Sequence, residues 1–218
     1  MSAAYVAVVD YGMGNLRSVW QALAHVAQED GSRCEIRVTA DPDVVAGAER
    51  VVFPGQGAMP DCMRELLTRG LRPAVIDAAK TKPFLGICIG LQMLFGHSEE
   101  GDVPGLGILP GEVRRFPVDK MQLPSGEKLK VPHMGWNEVK QCHPHPLWEG
   151  IEDGARFYFV HSYCVVPADA ACVAGTTDYG IPFTSAVARD NIFAIQCHPE
   201  KSAQTGLALL GNFLRWQP

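Results

Sequence analysis

The sequence predicts an α/β fold: a mostly parallel central sheet flanked by helices, with an antiparallel β layer added by the second half of the chain. Three observations predict it. Short, continuous apolar runs such as "YVAVV" (5–9) have the pattern of strands covered on both faces. In the first half such runs alternate with helix-like segments, which implies parallel pairing through right-handed crossovers. In the second half, β-like stretches follow one another with only turn signals between them. No repeat, low-complexity stretch or linker interrupts the chain, so residues 1–218 are expected to form one domain.

"YVAVV" leads through "DYGMGN" into a helix-like "LRSVWQALAHVAQ" (16–28). "CEIRVT" (34–39) and "RVVFPG" (50–55) read as the next strands. Pro73 can open a helix through "AVIDAAK" (74–80), because proline is accommodated in the first turn. "PFLGICI" (83–89) is the following strand and "GLQMLFG" (90–96) the helix after it. Then come "EVRRF", "KLKVPHMGWNEV" (128–139), "RFYFVHSYCVV" (156–166), "ACVAGTT", "TSAVA" and "IFAIQC" (192–197), with turns at "PSGEK" (124–128) and "RDN" (189–191). Asp190 and Asn191 tolerate positive φ, so a tight hairpin is expected there. The chain closes on "SAQTGLALLGNFLRW" (202–216), where Leu207, Leu210 and Leu214 fall at helical spacing.

Composition narrows the function. With 218 residues, 47% of them apolar and 20% charged, the chain can bury a substantial core. Nineteen Lys plus Arg against 24 Asp plus Glu give a formal charge of −5 and no basic tract, so nucleic acid is not an expected partner. "MSAAYVAVVDYG" has no positive flank before its apolar run and does not read as a signal peptide. No apolar run approaches the roughly 18 residues of a membrane helix. A soluble, cytoplasmic protein is expected. The cysteines, at 34, 62, 88, 142, 164, 172 and 197, are odd in number and form no C-x-x-C pair, which argues against a disulfide framework or a common zinc module.

The chemistry centres on "GICIG" (86–90), a G-x-nucleophile-x-G arrangement at a proposed strand-to-helix turn. Glycines leave room for strand and helix to approach, and the helix start favours a thiolate. Cys88 is therefore either a nucleophile or a packed core thiol. A thiol nucleophile needs a base, and the base needs an orienting group. His198 in "AIQCHPEKS" (194–202) follows the last strand, and Glu200 lies two residues on, on the same side if the segment is extended. Acyl chemistry also needs oxyanion donors. "FPGQGAMP" (53–60) offers the backbone of a glycine-rich turn for that role.

"PGQG", "GICIGLQ" and "HPE", in this order and at these separations, resemble the class I (triad-type) glutamine amidotransferases, over nearly the whole chain. "DYGMGNLRSV", "VPHMGWN", "FYFVHSY" and "QCHPEKS" place the resemblance among the members that feed a cyclase of histidine biosynthesis. The resemblance implies a flavodoxin-like core and hydrolysis of glutamine to glutamate and ammonia without a cofactor. It makes Cys88 the thiolate that forms a γ-glutamyl thioester, His198 the general base and acid, and Glu200 its orienting group. The backbone of Gly55, Gln56 and Gly57 becomes the oxyanion loop, whose peptide would flip when a partner switches the reaction on. Gln92, Glu100, His161, Ser162 and Tyr163 become substrate contacts. The implied partner is a cyclase subunit with a (β/α)₈ barrel, in a heterodimer. Trp136 and Asn137, and after them Tyr158, are candidates for that interface. Two positions depart from the family pattern. Gln56 stands where a small or branched apolar residue is commoner, and Cys197 where an aromatic is commoner; alternation turns Cys197 away from His198.

Other motifs carry less. "QCHPHP" (141–146) clusters Cys142, His143 and His145, but its two prolines oppose convergence on a metal, and an exposed loop is expected. "GMG" (12–14) lacks the third glycine of a dinucleotide fingerprint and reads as a turn. Two alternatives stay open at this level: a class I glutaminase of another pathway, such as anthranilate or pyridoxal phosphate synthesis, and a non-catalytic module that binds a partner or senses glutamine.

Overall fold

The chain was analysed as a computed structural model, which describes residues 4–29, 34–122 and 125–218. β1 (Tyr5–Val9) is buried along its whole length, as its unbroken apolar run requires. It passes into α1 (Leu16–Glu29), which packs Val19, Leu23 and Val26 on the sheet. β2 (Glu35–Thr39), α2 (Pro42–Gly47) and the fully buried β3 (Arg50–Gly55) follow. Next come α3 (Met59–Thr68), α4 (Arg72–Thr81), β4 (Phe84–Cys88) and the short α5 (Ile89–Met93). Pro73 lies in the first turn of α4, as expected.

Short strands β5 (His97–Ser98) and β6 (Val103–Pro104) lead into β7 (Gly111–Arg115), β8 (His133–Glu138) and β9 (Lys140–Gln141). β10 (Arg156–His161), β11 (Tyr163–Pro167), β12 (Val173–Asp178), β13 (Pro182–Arg189), β14 (Ile192–Ile195) and α6 (Ala203–Arg215) complete the order. "PSGEK" begins outside the described residues, though Gln122 and Lys128 bridge across it. Arg189 pairs with Ile192, so Asp190–Asn191 form the expected two-residue hairpin, with Asp190 at φ 52°.

The main sheet runs β2–β1–β3–β4–β14–β13–β11–β7–β5–β6. Its first five strands are parallel, and this half has the strand order of a flavodoxin-like doubly wound sheet. The antiparallel strands largely extend this same sheet past β14. Only β8 and β10 stand apart, as a two-stranded ribbon. The stretch "RFYFVHSYCVV" is thus not one strand. It breaks at Ser162, so that β10 joins the ribbon while β11 joins the main sheet. That break turns His161 and Tyr163 toward the carboxyl ends of the parallel strands, where doubly wound sheets bind ligands. Among the described residues, no helix is long and apolar enough to cross a membrane.

Candidate active site

β3 and β4 are paired so that Gly55 lies abreast of Cys88. The glycine-rich turn and the thiol are therefore neighbours by register. Cys88 is buried, sits at φ 56° and ψ −111°, and occupies the N-cap of α5. The flanking glycines now have a steric reason. A Cβ at Gly90 would stand 1.8 Å from the carbonyl oxygen of Phe53, and one at Gly86 would stand 2.9 Å from the Ala194 Cβ. Both glycines let β3, β14 and α5 close around the turn that lifts the thiol. The positive φ at Cys88 is a strained conformation for a non-glycine residue, of the kind that clusters at functional sites.

His198 follows β14 and holds Glu200 through Nδ1 to Oε1 at 2.8 Å, both side chains nearly sealed from solvent (4% and 2% exposed). The segment is not extended, as alternation suggested. His198 begins a 3₁₀ turn over Pro199–Lys201, and the turn brings Glu200 back beneath the ring. The backbone N–H of His198 donates to the Tyr158 carbonyl, and Ser202 Oγ donates to the His198 carbonyl while accepting from the Tyr158 N–H. The ring is thus stitched to β10. Its Nε2 has no hydrogen-bond partner and faces Cys88. Burial works to lower the His198 pKa, but the charges of Cys88 and Glu200 outweigh it and raise the value to about 10. The raised value keeps the His198 ring protonated, and so positively charged, beside Cys88 near pH 7.

Cys88, His198, Gln56, Gly57, Gln92, Glu100, His161, Ser162 and Tyr163 all border one cavity of about 300 Å³. Gly55 lies behind it, against Tyr11 and the start of α5. Glu100 Oε2 accepts the Met59 N–H at 2.8 Å, tying the pocket wall to the start of α3. The Gln56 carbonyl accepts from the Cys62 thiol at 3.7 Å, and Gly57 has φ 111°. The "GMG" loop is a turn, as expected, with the Gly12 N–H donating to Asp10; it also backs the Gly55–Gly57 loop, since a Cβ at Gly14 would touch Gly55.

Both ring nitrogens of His161 are occupied. Nδ1 donates to the Tyr163 carbonyl at 2.8 Å, and Nε2 meets His133 Nδ1 at 2.9 Å. His133 Nε2 in turn meets the Asn137 amide at 3.3 Å, and the His133 ring stacks on Phe159 and Tyr179. Burial lowers the pKa of His133 to about 4 and of His161 to about 3, so both are neutral near pH 7. Asn137 also donates to the Asp178 carbonyl, so its amide faces inward. Trp136 and Met134 on the same strand are 44% and 63% exposed, and Trp136 meets Tyr158 edge to face with ring centroids 6.1 Å apart.

Sequence reasoning missed Gln196, Cys62, Tyr11 and His133. Gln196 is fully buried beside the thiol, and its signal was available: a polar residue inside the apolar run "IFAIQC", two before His198. Cys197 packs in the core, and burial raises its thiol pKa well above the ordinary value. In "QCHPHP", Cys142 is exposed while His145 caps the turn at Leu147 and packs on Phe193 and Trp216. Among the described residues, no group of His, Cys, Asp and Glu could hold a metal ion.

A doubly wound sheet carrying a strained cysteine opposite a histidine–glutamate pair defines a class of amide-cleaving enzymes. A protein-family model described as Glutamine amidotransferase class-I matches residues 7–216, and the chain belongs to that family. Within it, the chain is 70% identical to the imidazole glycerol phosphate synthase subunit HisH of Dechloromonas aromatica, over 98% of this chain and 97% of that protein. It is also 70% identical to the subunit of that name from Aromatoleum aromaticum, over 98% and 99% of the two chains. A crystal structure of a glutamine amidotransferase has the same fold, with TM-score 0.70 at 17% identity over 96% of this chain and 97% of that one.

Proposed function

We propose that residues 1–218 act as one glutaminase domain, the glutamine-hydrolysing subunit of an imidazole glycerol phosphate synthase in cytoplasmic histidine biosynthesis. Ammonia released here passes to a cyclase subunit, a (β/α)₈ barrel in a heterodimer with this chain. The cyclase uses it to make imidazole glycerol phosphate and aminoimidazole carboxamide ribonucleotide. The observation that carries the reading is the free, buried Nε2 of His198 facing Cys88, with Nδ1 bonded to Glu200. The relatives above, named as subunits of that synthase, supply the pathway.

Glutamine enters with its carboxamide toward Cys88 and its α-amino and α-carboxylate groups toward Glu100 and the 161–163 segment. The Cys88 thiolate attacks the carboxamide carbon, and the oxygen becomes an oxyanion within reach of backbone N–H groups of the Gly55–Gly57 loop. The tetrahedral carbon collapses, the C–N bond breaks, and His198 gives the Nε2 proton to the departing nitrogen, which leaves as ammonia. The thioester is then opened by water. Neutral His198 takes the water's proton, the C–S bond breaks, and glutamate leaves with the thiolate–imidazolium pair restored. Glu200 keeps the ring oriented throughout and stabilises its charged form. Coupling to the acceptor requires that the partner bind one state of the site better than another. Exposed Trp136, against half-buried Tyr158, suits that contact, because Tyr158 is bonded through its backbone to His198.

The test is glutamate release from glutamine by the chain alone, with a histidine-pathway cyclase, and with the cyclase plus its nucleotide substrate. Near silence alone and strong turnover in the full mixture are expected, abolished by Cys88→Ala with partner binding intact. Turnover indifferent to the cyclase would assign another acceptor pathway, and silence throughout would leave a binding module.

A further inference from the structure

We propose that Gln196 belongs to the reaction machinery, giving a side-chain N–H to the Cys88 sulfur so that the attacking form of the thiol is stabilised in its buried setting. This deepens the glutaminase reading and rests on it for its catalytic consequence.

Donor direction fixes how Gln196 points. The Tyr163 carbonyl can only accept, so the His161 nitrogen facing it carries the proton, and the Gln92 group facing it at 3.2 Å is the NH₂. The same Gln92 NH₂ reaches Gln196 at 3.0 Å, so Gln196 must present its oxygen there. Its own NH₂ is then left to point at Cys88, with Nε2 3.7 Å from the sulfur. The orientation of Gln196 is therefore imposed by Gln92 and the Tyr163 carbonyl rather than by the thiol. Because His161 is neutral and protonated on Nδ1, its Nε2 accepts from His133, whose Nε2 accepts from Asn137. Donation runs from Asn137 through His133 and His161 into the Tyr163 carbonyl, and from Gln92 both into that same carbonyl and on through Gln196 to the thiol. Gln92 Oε1, buried and without a partner among the described residues, is the acceptor left over for a donor entering the pocket.

A hydrogen bond to the charged form of an acid favours that form, most of all where water is excluded. Gln196 supplies such a bond without adding a charge that would compete with His198 for the thiolate. It does not border the cavity, so its contact with the sulfur takes up none of the pocket lining.

Alkylation of Cys88 by iodoacetamide, followed on the Cys88 peptide by mass spectrometry across a pH series, reads thiolate formation directly. Gln196→Met, unbranched and apolar, removes the donor and should move the alkylation midpoint to higher pH by about one unit or more. Gln196→Glu places a negative charge against the sulfur and should move it further. An unmoved midpoint in folded Gln196→Met protein overturns the proposal. Should neither variant fold, isotope-labelled glutamine in the unsubstituted protein decides: the Gln196 side-chain amide resonance must titrate with the alkylation midpoint, and an invariant resonance refutes the bond. Neither readout needs glutamine or a partner. Loss of this inference therefore leaves the glutaminase reading intact, and failure of the wild-type chain to release glutamate defeats that reading alone.

Discussion

Replacing Glu200 by Gln tests the histidine–carboxylate pair with the least disturbance. The side chain keeps its size and can still accept from Nδ1 at 2.8 Å, but the charge is gone, in a site where neither residue meets appreciable solvent. A hydrogen bond to a charged group contributes about 1.5–3 kcal/mol and a neutral one about 0.5–1.5. The imidazolium therefore loses on the order of 1–2 kcal/mol of support, which converts to about a 5- to 30-fold fall in kcat. Removing the base altogether, in His198→Ala, should cost about 100- to 10,000-fold. The pH profile gives a second signature. Burial pulls the His198 pKa down while Cys88 and Glu200 hold it up, near 10, so the imidazolium that protonates the leaving nitrogen persists far into alkaline pH. Without the Glu200 charge, that pKa falls and the alkaline limb of kcat moves to lower pH. The assay is steady-state glutamate production by the full complex across pH. Equal losses in Glu200→Gln and His198→Ala, or an alkaline limb that stays put, would refute the orienting role.

Gly90→Ala forces a Cβ against the Phe53 carbonyl, backbone on backbone, and should cost about 3 kcal/mol or more by urea denaturation. Gly70→Ala, at φ 69° with open space around it, should cost only about 1–2 kcal/mol; similar losses at both sites would contradict the close packing of β3 on α5. Acid should destabilise the fold through His133 and His161. Their folded pKa values, about 4 and about 3, lie below the unfolded value near 6.5, so the unfolded state binds more protons below that pH. Their stabilisation is complete above pH 6.5 and is lost as pH falls toward 4, by up to roughly 2 kcal/mol for each histidine at pH 5. Thermal melts that do not fall between neutral pH and pH 5, or that fall as steeply in His133→Gln, would count against this. Trp136→Ala should leave the melting temperature unchanged and weaken cyclase binding by about 2 kcal/mol, roughly 30-fold in Kd by calorimetry. Unaltered affinity would move the interface elsewhere.

Much of the fold was legible because it depends on local pattern. Largely apolar runs gave β1, β3 and β4 their places, Pro73 marked the start of α4, and "RDN" produced a hairpin at the expected residues. α3 was not read, although Met59, Cys62, Met63 and Leu66 form its buried face, because the Gly and Pro signals just before it dominate the segment. "RFYFVHSYCVV" looked like one strand because the break at Ser162 is caused by two different partner strands, which no local property records.

The sequence by itself determined which residues the proposed chemistry uses and their spacing. A thiol between glycines, a histidine–glutamate pair and a glycine-rich turn are short-range facts, and each motif carries its own local geometry. Only the tertiary structure decided which way each polar group points. Gly55 stands abreast of Cys88 because β3 and β4 pair in that register, and Glu200 reaches His198 through a 3₁₀ turn where an extended strand was expected. Gln196 donates to the sulfur because a carbonyl on β11, two contacts away, leaves it no other orientation. Donor and acceptor direction in a buried network is set by its most constrained member, and that member lies far from the thiol in the chain.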